Sequence, residues 1–257
     1  MRMSHSRVDT FIKCPYKFKL MYLDGLKATF NLDPTNALVL GTAMHEGIEK
    51  NVEDAIRSYY SNYPTVTVAM VNEAIKLEIM VSKAKEVLKD QLARGTFEEE
   101  IDDDDFIGYI DLMVPVEGEY NTVDIYDFKY SNNVKSYLKS RQLHLYKYFL
   151  ERLDPTMKVR NMAFVFIPKV NLKQEDNEDI REYRRRLIKE CEEQKINVVP
   201  IEYDPNKVID YLLDVKKCIE CEEFDKNPNF CYWCDFNQYC KSDGKLDGRI
   251  IYPKEGE

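Results

Sequence analysis

The sequence predicts an α/β protein in which a mixed central β-sheet is flanked by helices. Three observations lead to this fold class. Strand-like segments are concentrated between residues 97 and 130, a helix follows them, and another strand comes after that helix. Two of the strands read as the arms of one hairpin, 106–116 and 122–130, joined by a turn at 117–121. Amphipathic helices stand before and after this block, which is the order expected when helices pack on both faces of a mixed sheet.

The elements before the hairpin are predicted to be helical. Ser4 or Ser6 can cap a first helix, and Pro15 begins a second one that Asp24 and Gly25 end. Two longer helices follow, because apolar residues recur at helical spacing over 38–60 and 69–94.

The elements after the hairpin alternate between helix and strand. The same spacing rules predict helices at 134–153 and 180–194, strands at 159–167 and 197–203, and a last helix at 205–224. This last helix leads into a cysteine-rich end of the chain.

The composition is ordinary for a globular protein, with 44% hydrophobic and 32% charged residues among 257. No apolar stretch reaches the length of a membrane span, and the N-terminus has no apolar signal core, so we expect a cytoplasmic protein without a membrane partner. The net charge of −9 argues weakly against a nucleic-acid partner, but basic residues gather in 13–27, 129–147 and 181–189. These local concentrations of positive charge mildly favour the binding of a polyanion.

The predicted hairpin carries two aspartates and a lysine that would lie close together. Asp127 and Lys129 share one face of their strand, since side chains alternate. If the hairpin is centred on Glu119, Asp111 falls opposite Asp127, with the two carboxylates roughly 5 Å apart. Carboxylates this close repel each other unless a cation lies between them. A divalent metal beside a lysine is an arrangement that cleaves phosphodiester bonds.

Seven cysteines in a chain of this kind indicate a metal site rather than a disulfide framework. The residues leave two ligand sets open. The first set is Cys14, Cys231, Cys234 and Cys240. The second is the paired C-x-x-C pattern typical of zinc, Cys218, Cys221, Cys231 and Cys234. Four thiolates suit a [4Fe–4S] cluster as well as zinc, so the number of ligands does not identify the metal.

Several short motifs occur along the chain in one order. They are Ser4-x-Ser6 through Phe11-Ile-Lys-Cys14-Pro15, Gly41-Thr-Ala-Met-His45, Gly108-Tyr-Ile-Asp111, Asp127-Phe-Lys129, Gln142-Leu-His-Leu-Tyr146 and Cys231-Tyr-Trp-Cys234-x5-Cys240. In this order the chain resembles the PD-(D/E)XK nuclease superfamily, in its RecB-like iron–sulfur branch. That branch includes the AddB nuclease domain, exonuclease V and the CRISPR-adaptation nucleases. The resemblance covers residues 4 to about 241.

The resemblance implies a role for each motif. Mg²⁺ or Mn²⁺ would be held by His45, Asp111, Asp127 and the backbone carbonyl of Phe128. Lys129 would position or help deprotonate the attacking water. Gln142 and Tyr146, which share a helix face, would line the active site and contact the DNA backbone, although a polar helix edge explains them nearly as well.

The resemblance also implies an organisation of the whole chain. A single nuclease domain would span 1–257, with a restriction-endonuclease-like catalytic core at 38–203. Residues 1–30 and 205–241 would form a cluster-binding region around it. There a [4Fe–4S] cluster on Cys14, Cys231, Cys234 and Cys240, or zinc as the alternative, would act as a structural staple.

The expected function is that of a metal-dependent DNA nuclease. We expect a single-strand-preferring exonuclease of recombination, repair or replication, of the phage or CRISPR-adaptation type. Its substrate would be DNA that is single-stranded or has free ends, and a helicase or recombination protein is a possible partner. The expected location is the cytoplasm of a bacterium or of a phage-infected host. The other hypotheses are a catalytically silent DNA-binding or scaffold subunit and a zinc-binding regulator.

Overall fold

The structure is a computed structural model that describes residues 2–29, 32–232, 234–245 and 250–252. The chain folds as two compact units. We call Leu32–Ile101 together with Tyr109–Tyr203 the sheet unit, and Met1–Asn31, Asp102–Gly108 and Asp204–Glu257 the terminal unit.

A five-stranded mixed sheet forms the centre of the sheet unit, which confirms the predicted fold class. The strands are β2 (Thr96–Asp102), β3 (Ile107–Pro115), β4 (Thr122–Tyr130), β5 (Lys158–Ile167) and β6 (Asn197–Ile201), in that spatial order. β4 lies antiparallel to β3 and parallel to β5, whereas β5 and β6 are antiparallel. The parallel pair requires a crossover, and two helices between β4 and β5 provide it.

The hairpin formed by β3 and β4 has the register expected from its sequence. Leu112 pairs with Tyr126, and the pairing continues to Pro115 with Val123. These pairs are symmetric about Glu119, so the predicted centre of the hairpin is confirmed. Extending the register by one pair brings Asp111 opposite Asp127.

The helices of the sheet unit are shorter than predicted. They are α3 (Ala37–Glu49), α4 (Val52–Tyr60), α5 (Val68–Val87), α6 (Lys89–Leu92), α7 (Val134–Tyr137), α8 (Gln142–Leu153) and α9 (Ile180–Glu193). Buried residues of α3, α4, α5 and α9 share one hydrophobic cluster with β3, β4 and β5.

The predicted helices 38–60, 69–94 and 134–153 are wrong as continuous elements, because each is interrupted once. Asn51 breaks the first: its side chain accepts the Asp54 N–H at 2.9 Å and so caps a new helix. Leu88 interrupts the second with φ −99° and ψ 12°. In the third, consecutive i→i−3 hydrogen bonds at Lys139 and Ser140 close α7 as a tight turn before α8 begins.

The terminal unit is mainly helical. It contains α1 (His5–Lys13), α2 (Pro15–Phe18), a π-helical turn (Lys19–Leu23), α10 (Pro205–Ile219), a 3-10 turn (Pro228–Phe230) and α11 (Asn237–Lys241). A two-stranded antiparallel sheet joins β1 (Lys27–Ala28) to β7 (Ile250–Ile251).

The predicted end of the last helix at residue 224 is wrong, since α10 stops at Ile219. Phe224 stacks instead on Phe18, with ring centroids 6.4 Å apart, and the Tyr16 N–H donates to the Asp225 carbonyl. These contacts with the N-terminal helices outweigh the local helical preference. Within the described part of the chain, no helix combines the length and apolarity that a membrane crossing needs.

Candidate active site

Two aspartates and a lysine lie together where β3 and β4 pair. Asp127 is 1% exposed and Asp111 is 9% exposed. The Lys129 ammonium forms an ion pair with one Asp127 carboxylate oxygen, and its side chain is only 14% exposed. The strands bury these three charges because most of the neighbouring positions are apolar and buried.

The Asp127 carboxylate is poorly satisfied. Neither of its oxygens accepts a hydrogen bond of normal geometry from any described residue, so the Lys129 ion pair is its principal compensation. Burial raises the pKa of Asp127 to about 6, against the opposing effect of the Lys129 charge, and the negative charge of Asp111 raises it further. A buried carboxylate in this condition is stabilised by a cation.

His45 on α3 faces the same carboxylates. Its Nε2 lies 3.0 Å from the backbone oxygen of Phe128, and its Nδ1 lies 3.5 Å from Asp111 Oδ1. The other Asp111 oxygen accepts the Phe128 N–H at 2.5 Å. Burial alone would lower the pKa of His45, but the hydrogen bond and charge of Asp111, with the charge of Asp127, raise it overall.

The folding of α3 explains how His45 reaches the sheet. The Asn36 side chain caps the helix by accepting the N–H groups of Leu38 and Val39. The helix then packs on β4, and the His45 ring meets the Phe128 ring edge to face at 5.7 Å.

Glu98 on β2 is a site residue that sequence reasoning missed. Its carboxylate, the His45 ring and the Asp111 carboxylate each place one ligand atom within 4.8 Å of the others. Partial burial and then the charge of Asp111 raise the pKa of Glu98. No local signal distinguishes Glu98 from the glutamates that follow it, because only the position of β2 beside β3 selects it.

The donor set suits a hard divalent cation. It combines carboxylate oxygens, a backbone carbonyl oxygen and one imidazole nitrogen, which are ligands for Mg²⁺ and Mn²⁺. The poorly satisfied carboxylate of Asp127 beside Asp111 gives the structural reason for a cation here.

Gln142 and Tyr146 lie on the first turns of α8. The Gln142 amide donates to the Tyr146 hydroxyl at 2.8 Å. Burial raises the pKa of Tyr146, and the charge of Asp127 raises it further, so the phenol remains protonated close to the acidic site.

Six of the seven cysteines belong to the terminal unit, whereas Cys191 is buried on α9 of the sheet unit. Cys14, Cys231, Cys234 and Cys240 all line one cavity of about 400 Å³. In the described ranges no three thiols lie within 4.8 Å of one another, so they do not form a closed single-ion site. Cys218 and Cys221 are not among the residues that line this cavity, and the paired C-x-x-C set is therefore not brought together around it.

Comparison with known proteins identifies the family of this chain. No curated protein matches the sequence. A solved structure from Eubacterium rectale, named "Putative exonuclease", is similar over 93% of this chain and 87% of its own, with a TM-score of 0.58 and 11% identity. At that identity the similarity supports the fold alone. The family model of the PD-(D/E)XK nuclease superfamily matches residues 2–241. With Asp111, Asp127 and Lys129 assembled on one hairpin, the chain belongs to the PD-(D/E)XK nuclease superfamily.

Proposed function

We propose that this chain is a metal-dependent deoxyribonuclease that hydrolyses phosphodiester bonds and prefers single-stranded DNA with free ends. The convergence of His45, Asp111, Asp127 and Lys129 is the observation that carries the proposal. The exonuclease form of the proposal is the activity named for the Eubacterium rectale protein of similar fold, and it needs its own test on this chain.

His45, Asp111, Asp127 and the Phe128 carbonyl would hold one or two Mg²⁺ or Mn²⁺ ions, and Glu98 would complete the set. When bound, the metal lowers the pKa of a coordinated water and offsets negative charge on the phosphate. The protein's own contribution is to hold these donors close together before substrate arrives. The Phe128 N–H fixes one Asp111 oxygen and so orients that carboxylate.

Lys129 is assigned to orient the attacking water and to offset charge on the scissile phosphate. Burial by itself would lower the pKa of Lys129, but the charges of Asp127 and Asp111 outweigh it and raise the pKa. The side chain therefore stays an ammonium at neutral pH. An ammonium donates hydrogen bonds but accepts no proton, so Lys129 is better suited to positioning and charge stabilisation than to removing a proton.

Gln142 and Tyr146 are assigned to the DNA backbone. Their mutual hydrogen bond fixes both side chains at the start of α8, and the protonated Tyr146 is a neutral donor near the site. Neutral donors suit contacts to phosphate and sugar oxygens without adding sequence preference.

For the terminal unit we propose a [4Fe–4S] cluster on Cys14, Cys231, Cys234 and Cys240, as in the RecB-like branch, with zinc as the alternative. In a cubane each thiolate binds a different iron, so the sulfurs stay apart, whereas one zinc draws four sulfurs to a single ion. The cavity that all four thiols line is the observation behind this proposal, and it does not distinguish the two groups. An absorbance band at about 400 nm with bound iron in anaerobically purified protein would support it, and zinc without iron would contradict it.

A cleavage assay on labelled oligonucleotides tests the nuclease. Wild-type protein with Mn²⁺ should degrade linear single strands faster than linear duplexes, and an exonuclease should leave circular single strands intact. Lys129→Ala should lose cleavage and retain DNA binding, whereas Lys89→Ala, an exposed lysine on α6, should cleave like wild type. Binding without any cleavage in Mg²⁺ or Mn²⁺ would favour a catalytically silent scaffold. Full cleavage by Lys129→Ala would exclude the mechanism.

A further inference from the structure

The Lys129 side chain is held on more than one side. Its ammonium pairs with Asp127, and it also lies 5.4 Å from the centre of the Tyr137 ring and 5.8 Å from that of Phe164. An aromatic face attracts a cation because its π electrons carry partial negative charge. The ammonium thus has one carboxylate and two aromatic rings around it.

The three rings near Lys129 support one another. Tyr137 lies 6.3 Å from Phe164 and 6.0 Å from Phe166, and the two phenylalanines are 5.9 Å apart. Phe164 and Phe166 are buried on β5, where they pair with Asp127 and Lys129 of β4. Tyr137 comes from α7 and is only half-buried, so it is the ring that can be replaced without opening the core.

The contacts with Tyr137 and Phe164 are important because the Asp127 carboxylate, which pairs with Lys129, is also assigned to the metal. Lysine has a flexible stem and loses rotamer freedom when its ammonium is fixed. In the proposed function Asp127 also binds the metal, and a cation there takes up negative charge that otherwise attracts Lys129. The aromatic faces carry no such conflict, since they do not bind a hard divalent cation.

We propose that Tyr137 is a positioning residue for Lys129: its ring face, with that of Phe164, keeps the ammonium in place beside the metal site. This inference rests on the proposed function for the role of Lys129 in cleavage. The contact itself is independent of that role.

Two substitutions at Tyr137 separate the ring face from the hydroxyl. Tyr137→Phe keeps the ring, and Tyr137→Leu removes it. We expect Tyr137→Leu to lower kcat for a linear single-stranded oligonucleotide by about three- to thirty-fold with little change in KM, and Tyr137→Phe to stay within about twofold of wild type. Leu138→Ala, an exposed neighbour that follows α7, is the matched control and should behave like wild type. If Tyr137→Leu does not fold, Tyr137→Met removes the ring while keeping a long apolar side chain.

A second measurement does not depend on cleavage. An amine-reactive ester labels Lys129, and peptide mass spectrometry measures the labelling rate. This rate should rise in Tyr137→Leu and not in Tyr137→Phe or Leu138→Ala. Mn²⁺ affinity, measured by calorimetry, should be the same in all of them. Unchanged labelling and unchanged kcat in Tyr137→Leu would overturn the proposal, and so would an equal loss in Tyr137→Phe. If labelling rises in Tyr137→Leu but wild-type protein cleaves no DNA, the nuclease function is overturned and the contact between Tyr137 and Lys129 stands.

Discussion

Replacing Gly47 by alanine should destabilise the sheet unit, although alanine is the better helix former. Gly47 is buried near the end of α3, where that helix meets α4 and α5. A Cβ built at this position would lie 2.7 Å from Ala55 Cβ and 2.7 Å from Val81 Cγ2. Both neighbours are fully buried, so they have no free space into which to move.

The expected size of the effect follows from two opposing contributions. Alanine in a helix interior gains about 1 kcal/mol over glycine. Carbon atoms prefer a separation of about 3.5–4.0 Å, so the helices would have to part by roughly 1 Å, and overpacking of this kind costs about 1–3 kcal/mol. With two contacts this short we expect the upper part of that range, and a net loss of about 1–2 kcal/mol in the free energy of unfolding.

Gly41→Ala is the matched control in the same helix. A Cβ at Gly41 meets nothing within 4 Å, so only the helix-propensity gain remains, and the free energy of unfolding should rise by up to about 1 kcal/mol. Urea denaturation followed by circular dichroism measures both variants. The packing explanation fails if Gly47→Ala is as stable as Gly41→Ala. Gly47 follows His45 by two residues, so Mn²⁺ titration of Gly47→Ala should also show weaker binding.

Three further predictions concern the candidate metal site and the end of α3. Mn²⁺ at about 100 times its dissociation constant should stabilise wild-type protein by about 2.7 kcal/mol, seen as a higher melting temperature, and Asp111→Asn should lose most of this shift. Mn²⁺ affinity should fall from pH 8 to pH 6, because the raised pKa of His45 and the pKa of about 6 for Asp127 make protons compete with the metal. Calorimetry at the two pH values checks this, and tighter binding at pH 6 would contradict it. The Lys85 ammonium donates to the carbonyls of Gly47, Ile48 and the capping residue Lys50 at 2.8–3.5 Å, so Lys85→Met should lower the free energy of unfolding by about 1–3 kcal/mol in urea titration. Unchanged stability in that variant would show that the contact contributes nothing.

The hairpin is the part of the site that local sequence predicts well. Alternating apolar positions and a short polar turn define the two strands, and the turn length sets the register. For this reason the centre at Glu119, and with it the juxtaposition of Asp111 and Asp127, follows from the order of residues alone.

Helix boundaries were predicted less well, because competing caps have similar local preference. Asn51 can continue a helix or begin one, and the packing of α3, α4 and α5 around Gly47 favours a new beginning. Phe224 has an apolar side chain compatible with helix, but its stacking on Phe18 depends on a segment two hundred residues away.

Local sequence was enough to predict the sheet class, the hairpin register and the residue types of the candidate metal site, since these depend on neighbours along the chain. The packing of separate elements was needed to show that Glu98 joins His45 and Asp111, that Tyr137 and Phe164 face Lys129, and that four cysteines from both ends of the chain line one cavity. Such contacts join separate elements. Their selection depends on how strands and helices pack, and no local pattern of residues encodes that packing.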